Sequence, residues 1–207
     1  HIREGADPTF TNITISNNEA NSYGGGIFIG TNGTDPIFTN MTVSQNTAIE
    51  GGGVHIRNDA EPTFFNVTIT GNSASANMGG GLFIYDVQNA VFTNTIFWDN
   101  SPHEIFFHWD GSSSSITVTY SDVQGGEEGI VTNDNGTVNW LDGNIDSNPL
   151  FCNADSSDFT LYDNSPCVGA GENGANMGAL GVNCVSVNGC IDPLAINYNP
   201  EANQDDG

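Results

Sequence analysis

A chain of 207 residues with 25 acidic side chains, two arginines and no lysine carries a formal net charge of −23, which excludes nucleic acid as a partner because phosphate contacts are made largely by Lys and Arg. The same imbalance removes the basic patch that docks on an anionic membrane, and no apolar run approaches the ~20 residues that insert across a bilayer. Only 13% of residues are charged whereas 26 are Gly, so the composition points to a turn-rich all-β protein rather than to charge-driven disorder.

From Pro8 the chain settles into a repeat. Pro8, Phe10, Asn12, Ile15 and Asn18 recur as Pro36, Phe38, Asn40, Val43 and Asn46, then as Pro62, Phe64, Asn66, Ile69 and Asn72. A fourth copy, with Phe92, Asn94, Phe97 and Asn100, has Ala90 in place of the proline. The copies begin 28, 26 and 28 residues apart, and the first three run on into three glycines and an apolar stretch at 24–29, 51–56 and 79–84. Three short β-like runs in 26–28 residues, with no helical period, predict one coil of a parallel β-helix. A single coil cannot bury its apolar side; stacking on the next coil, at about 4.8 Å per rung, does so. The proline stands at the start of a run, where its missing N–H does least harm. The glycines suit a corner where backbone passes close to backbone.

Stacking also explains two asparagine columns. Asn12, Asn40, Asn66 and Asn94 share one position, and Asn18, Asn46, Asn72 and Asn100 share another. An amide both donates and accepts, so like residues in successive coils bond along the stack, for roughly 0.5–1.5 kcal/mol net per bond. Asn12, Asn40 and Asn66 also head glycosylation sequons, but a fixed slot in every coil is the mark of a ladder. Asn32 and Asn135, in irregular segments, are the expected acceptors in a glycosylating cell.

The pairing of Ile15-x-x-Asn18 or Phe97-x-x-Asn100 with Gly-Gly-Gly-(Ile/Val/Leu) resembles the polymorphic outer-membrane-protein-type repeats of bacterial surface proteins. That resemblance spans about residues 1–100 and implies a right-handed parallel β-helix. The family usually has Ala after two glycines, where this chain has a third Gly. His1-Ile2-Arg3 aligns with His55-Ile56-Arg57, so the chain opens inside a strand. Further coils upstream are expected, and with no initiating Met the chain is read as part of a longer or processed polypeptide.

After Asn100 the repeat loosens. Strands are expected over 103–109 and 116–124, with a looser stretch over 130–140. Asn144 to Cys152, Asp158 to Cys167 and Met177 to Leu180 together resemble the closing coils of secreted β-helix proteins from marine and environmental bacteria, across about residues 94–184. Trp98, Phe106, Phe107, Trp109 and Trp140 are expected to fill the core as the regular stack ends, with a sugar-stacking platform as the alternative. The chain thus divides into regular coils at 1–100, degenerate closing coils at 101–184 and a final segment at 185–207. This last segment resembles a small Cys-bearing module at the ends of such secreted proteins, whose family form continues with a further Ser and Cys.

Four cysteines without CxxC or His spacing speak for an oxidising, extracellular setting and against zinc. Cys152 with Cys167 is the preferred disulfide, leaving Cys190 either to Cys184 or to a partner beyond Gly207. Asp192, Asn197, Asn199, Asp205 and Asp206 offer hard oxygen ligands in a turned segment. If an ion is held, calcium is the one they suit, against the plainer alternative of a solvated acidic turn. No other cofactor is required.

Catalytic readings are weaker. His103 and His108 are one residue too far apart for the zinc-protease motif, and alternation would place them on opposite faces. Lyase chemistry on uronates needs cationic groups, and the absence of Lys, with only two Arg at repeat-equivalent positions, tells against it. Glycoside hydrolysis needs paired carboxylates, but Asp7, Asp59 and Glu61 precede the repeat prolines as solvated turn residues. A threonine column, Thr14, Thr42 and Thr68, is too short for an ice-binding lattice. The sequence therefore reads as a non-catalytic extracellular β-solenoid, a rigid scaffold, adhesin or filament former. Its expected partners are further copies of itself or other extracellular surface proteins. A carbohydrate-binding or carbohydrate-cleaving β-helix, with glycans as partners, is the alternative.

Overall fold

A computed structural model describes residues 1–31, 33–76, 78–199 and 202. The architecture is the expected all-β parallel β-solenoid. One side is a five-stranded sheet in which Ile2–Arg3, Ile27–Gly30, Val54–Arg57, Leu82–Tyr85 and Ile105–Phe107 pair in parallel. A nine-stranded sheet forms the rest of the wall, its longest members being Ile37–Ser44 and Thr63–Thr70. Thr47–Ala48 and Ser73–Ala74 pair on a third, minimal side.

The register sets like against like. Phe10, Phe38, Phe64 and Phe92 are neighbours on successive rungs, with ring centroids 5.4, 4.7 and 4.8 Å apart and nearly parallel planes. Such pairs add about 0.5–1.5 kcal/mol each beyond the area they bury. Ile15, Val43, Ile69, Phe97 and Val123 form a second column. From the opposite wall the column Ile29, Ile56 and Ile84 points inward to meet them.

Each long run bends at its asparagine. Asn12, Asn40, Asn66 and Asn94 adopt φ of 56°, 51°, 53° and 51°, a left-handed conformation that Asn tolerates better than other side chains. Their amides donate from later coil to earlier: Asn94 to Asn66, Asn66 to Asn40, and Asn40 to Asn12, at 3.0–3.2 Å. The second column runs the opposite way and is buried from Asn46 onward. Asn18, Asn46 and Asn72 each donate a side-chain N–H and a backbone N–H to the Oδ1 of the next asparagine. Asn46, Asn72 and Asn100 donate a second side-chain N–H to the carbonyls of Ile15, Val43 and Ile69. Glu104 receives both bonds from Asn100, in the place a further asparagine would take, and the ladder ends there.

The third glycine of each triplet has a packing cause. A Cβ on Gly26 would stand 2.8 Å from the Gly53 carbonyl oxygen and 3.0 Å from the Asn46 amide nitrogen. Gly53 and Gly81 face the same two obstacles at Gly81 with Asn72, and at Glu104 with Asn100. The inner ladder occupies the volume an alanine methyl would need.

Ile145 and Ser147 still bond to the rung at residues 121–123, and beyond them the chain leaves the stack and folds back along its flank. Phe151–Asn153, Asp158–Tyr162 and Val182–Cys184 form a three-stranded sheet. Leu161, Cys167 and Met177 pack on Ile96. The Glu172 N–H donates to Asn94 Oδ1, the Ala179 N–H to Thr68 Oγ1, and the Ser157 hydroxyl to Gln45 Oε1. Thr42 and Thr68 are buried, so the threonine column is not an exposed lattice.

The disulfide joins Cys152 to Cys184, not to Cys167. The strand Asp158–Tyr162 has a neighbour on each side, and Cys152 and Cys184 sit on those two flanking strands with Cα atoms 6.0 Å apart. Cys167 instead turns into the flank core and donates to Asp122 Oδ2 at 3.1 Å. Cys184 being taken, Cys190 has no disulfide partner among the described residues.

Candidate functional site on the outer face of the five-stranded sheet

Alternation in the short strands sends Ile27, Ile29, Val54 and Ile56 into the core and their intervening residues outward. The outward column reads His1, Phe28, His55, Phe83 and Phe106, with ring centroids successively 5.0, 5.3, 4.6 and 6.1 Å apart. Two residues further along, Arg57 and Tyr85 pair in a second outward column. At the preceding corner Tyr23 pairs with Glu50. A depression of ≈ 180 Å³ lies between these columns, lined by Tyr23, Glu50, His55, Arg57, Phe83, Tyr85 and His108.

Arg57 spans it, its guanidinium carbon 5.7 Å from the Tyr23 ring centroid and 5.5 Å from that of Tyr85. Gly30, on the preceding rung, makes room, because a Cβ there would stand 3.1 Å from Arg57 Cγ. His55 is 1% exposed. Neither of its ring nitrogens, nor the buried Nε of Arg57, makes a well-formed hydrogen bond among the described residues. Burial, reinforced by the Arg57 charge and opposed by the nearby Glu50 backbone, lowers the His55 pKa from 6.5 to about 3, so the imidazole is neutral at physiological pH. Burial raises the Glu50 pKa, opposed by the nearby His108 and Arg57.

Both arginines and all four histidines of the chain contribute to this one face. Arg3 caps the Phe28 ring at 4.7 Å. His103 stacks on Phe106, and His108 packs on Trp109 and against Phe83 and Tyr85. The expectation that His103 and His108 point to opposite faces fails. The strand between them is only Ile105–Phe107, and alternation stops before either histidine. Of the late aromatics, Phe107 enters the core while Trp98 and Trp140 pack against core clusters. Phe106 and the 56% exposed Trp109 belong to the outer stripe.

The proposed calcium ligands are placed in part. The Asp192 carboxylate accepts the Leu194 N–H at 2.9 Å, closing a local turn, and the Asn199 N–H donates to the Cys190 carbonyl. Asn197 is exposed, and Asp205 and Asp206 lie outside the described residues. Among the described residues no group of three or more His, Cys, Asp or Glu side chains could hold a metal ion. Asn32 also lies outside them. The Asn135 amide nitrogen donates to the carbonyls of His108 and Asp110, tying down the loop beside the groove.

Two other carboxylates are buried away from the groove. Burial raises Glu104 to about 7 against its Asn100 hydrogen bonds, and Asp122 to about 6 against bonds from Ser147 and Cys167. Each is held by structural donors.

The column was legible in principle, since the repeat alignment sets His1, Phe28, His55 and Phe83 at one position. Its outward direction and its cover of Tyr23, Arg57 and Tyr85 were not. Comparison with curated proteins and with solved structures returns no match. A family model described as right handed beta helix region matches residues 1–165, in agreement with the stacked parallel coils, and the chain belongs to that family.

Proposed function

We propose that this protein is a non-catalytic extracellular β-solenoid, a rigid scaffold for surface display, adhesion or assembly. The observation that carries this reading is the pair of opposed asparagine ladders through the regular coils. They fix each coil to its neighbours by side chains as well as by backbone, which makes the stack stiff along its axis. The Cys152–Cys184 disulfide supports an oxidising location. Surface display also accords with the repeat resemblance over residues 1–100. Incubation with a panel of polysaccharides is expected to release no reducing ends; release from any of them would overturn the non-catalytic reading.

The outer stripe favours a second reading, in which the scaffold binds carbohydrate without cleaving it. Hydrolysis needs two carboxylates facing one glycosidic bond, whereas Glu50 is the single carboxylate among the groove's lining residues.

A further inference from the structure

We propose that the groove around Arg57 is a binding site for a neutral sugar unit, recognised by the mixed donors and acceptors of Arg57, His55 and Glu50 and by the Tyr23 and Tyr85 rings. The inference rests on the carbohydrate-binding reading and gives it a place and a ligand class.

Three buried polar atoms at the groove, the two ring nitrogens of His55 and the Nε of Arg57, make no well-formed hydrogen bond among the described residues, and the Glu50 backbone beside His55 only partly offsets the effect of its burial. Buried groups of this kind are normally satisfied, so their presence together points to an occupant that completes them. The chemistry of the set selects that occupant. A neutral imidazole offers one donor and one acceptor, a guanidinium only donors, and a carboxylate acceptors. Hydroxyl groups both donate and accept, so adjacent hydroxyls of one ring can satisfy all three side chains. A carboxylate or phosphate accepts only, and would leave the acceptor nitrogen of His55 unmatched while facing Glu50. The field of the whole chain, at −23, also disfavours an anion.

The apolar part of the site fits the same class. Tyr23 and Tyr85 flank the groove and Phe83 lines it beside His55, giving aromatic surface for the C–H groups of a pyranose beside the Arg57 guanidinium that packs on both tyrosines. The ≈ 180 Å³ depression accommodates about one ring, with exposed Trp109 further along the stripe beside His108.

The test is saturation-transfer NMR and titration calorimetry on the full chain. Maltotriose, cellotriose and triacetylchitotriose form one arm, and digalacturonate the other. At least one neutral trisaccharide is expected to bind, and to bind about tenfold more weakly to Arg57→Gln, the loss of one charge-assisted hydrogen bond. Arg3→Gln, on the same stripe outside the groove, is expected to bind as wild type. Tyr85→Ala, with folding checked by thermal melt, supplies a second groove variant with the same expected loss. Binding untouched by both groove variants would overturn this site and leave the carbohydrate-binding reading standing. Preference for digalacturonate would overturn the neutral ligand class. No binding in either arm would overturn both the site and the reading on which it rests.

Discussion

Asn72 illustrates how much one side chain does in a stacked coil. Its Oδ1 accepts from the backbone and side chain of Asn46, and its Nδ2 donates to Asn100, Val43 and Thr70. Asn72→Ala strands several buried groups at once, each costing about 1–3 kcal/mol. With partial relaxation, a loss of about 3–5 kcal/mol is expected by urea unfolding. Asn66 presents a different problem. It is half-buried, bonds only its ladder neighbours, and bends the chain at φ 53°. Asn66→Gly keeps that conformation and is expected to cost about 1 kcal/mol, less than Asn66→Ala, which also meets the left-handed strain. An Asn66→Ala variant as stable as Asn66→Gly would refute the conformational role.

At the scale of the element, the two ladders end differently. The outer one passes its last acceptor, Asn94 Oδ1, to the Glu172 N–H of the flank segment. The inner one ends on the buried Glu104 carboxylate. Its folded pKa of about 7 lies above its ordinary 4.5, so between these values the folded state holds a proton that the unfolded chain has released. Folding stability from this group is therefore greatest below about pH 4.5 and declines as pH rises through 7. Asp122, raised from 3.8 to about 6, acts in the same direction over its own window. The melting temperature is expected to fall from pH 5 to pH 7.5. Glu104→Gln, whose Oε1 can accept both Asn100 bonds as an asparagine Oδ1 does elsewhere, is expected to flatten much of that slope. A wild-type profile flat across this range would contradict the assignment.

At the scale of the whole molecule, the charge of −23 lies mostly on the surface as a coat, with Glu104 and Asp122 as buried carboxylates. Part of it is ordered: Asp7 accepts the Asp35 N–H, and Asp35 accepts the Glu61 N–H. This makes a column of like charges about one rung, ~4.8 Å, apart. The side chains satisfy backbone donors ahead of each proline at the cost of mutual repulsion. Salt screens that repulsion, with a Debye length of about 30 Å at 0.01 M and 8 Å at 0.15 M. Raising NaCl from 10 to 300 mM is expected to raise the melting temperature by roughly 3–8 °C. Differential scanning fluorimetry that finds no salt dependence would remove the coat from the account of stability.

The sequence by itself determined the coil, its length, the strand register of the first hundred residues and both asparagine columns. In a stack of equal units each residue's neighbour is its own copy one repeat away, so contact order in space repeats the order in the chain. The family resemblance marked the third glycine as a departure, and the tertiary structure supplied the cause in the Asn46 amide behind Gly26. Where the repeat ends, that rule ends with it. The flank segment meets coils about 80 to 110 residues earlier, as Glu172 meets Asn94 and Ala179 meets Thr68. No spacing encodes this, and the choice of Cys184 over Cys167 for Cys152 followed from it. The groove belongs to the same class. Tyr23, His55, Tyr85 and His108 occupy different coils and different places in the repeat, and only the turn of the chain about the solenoid axis brings them to one face.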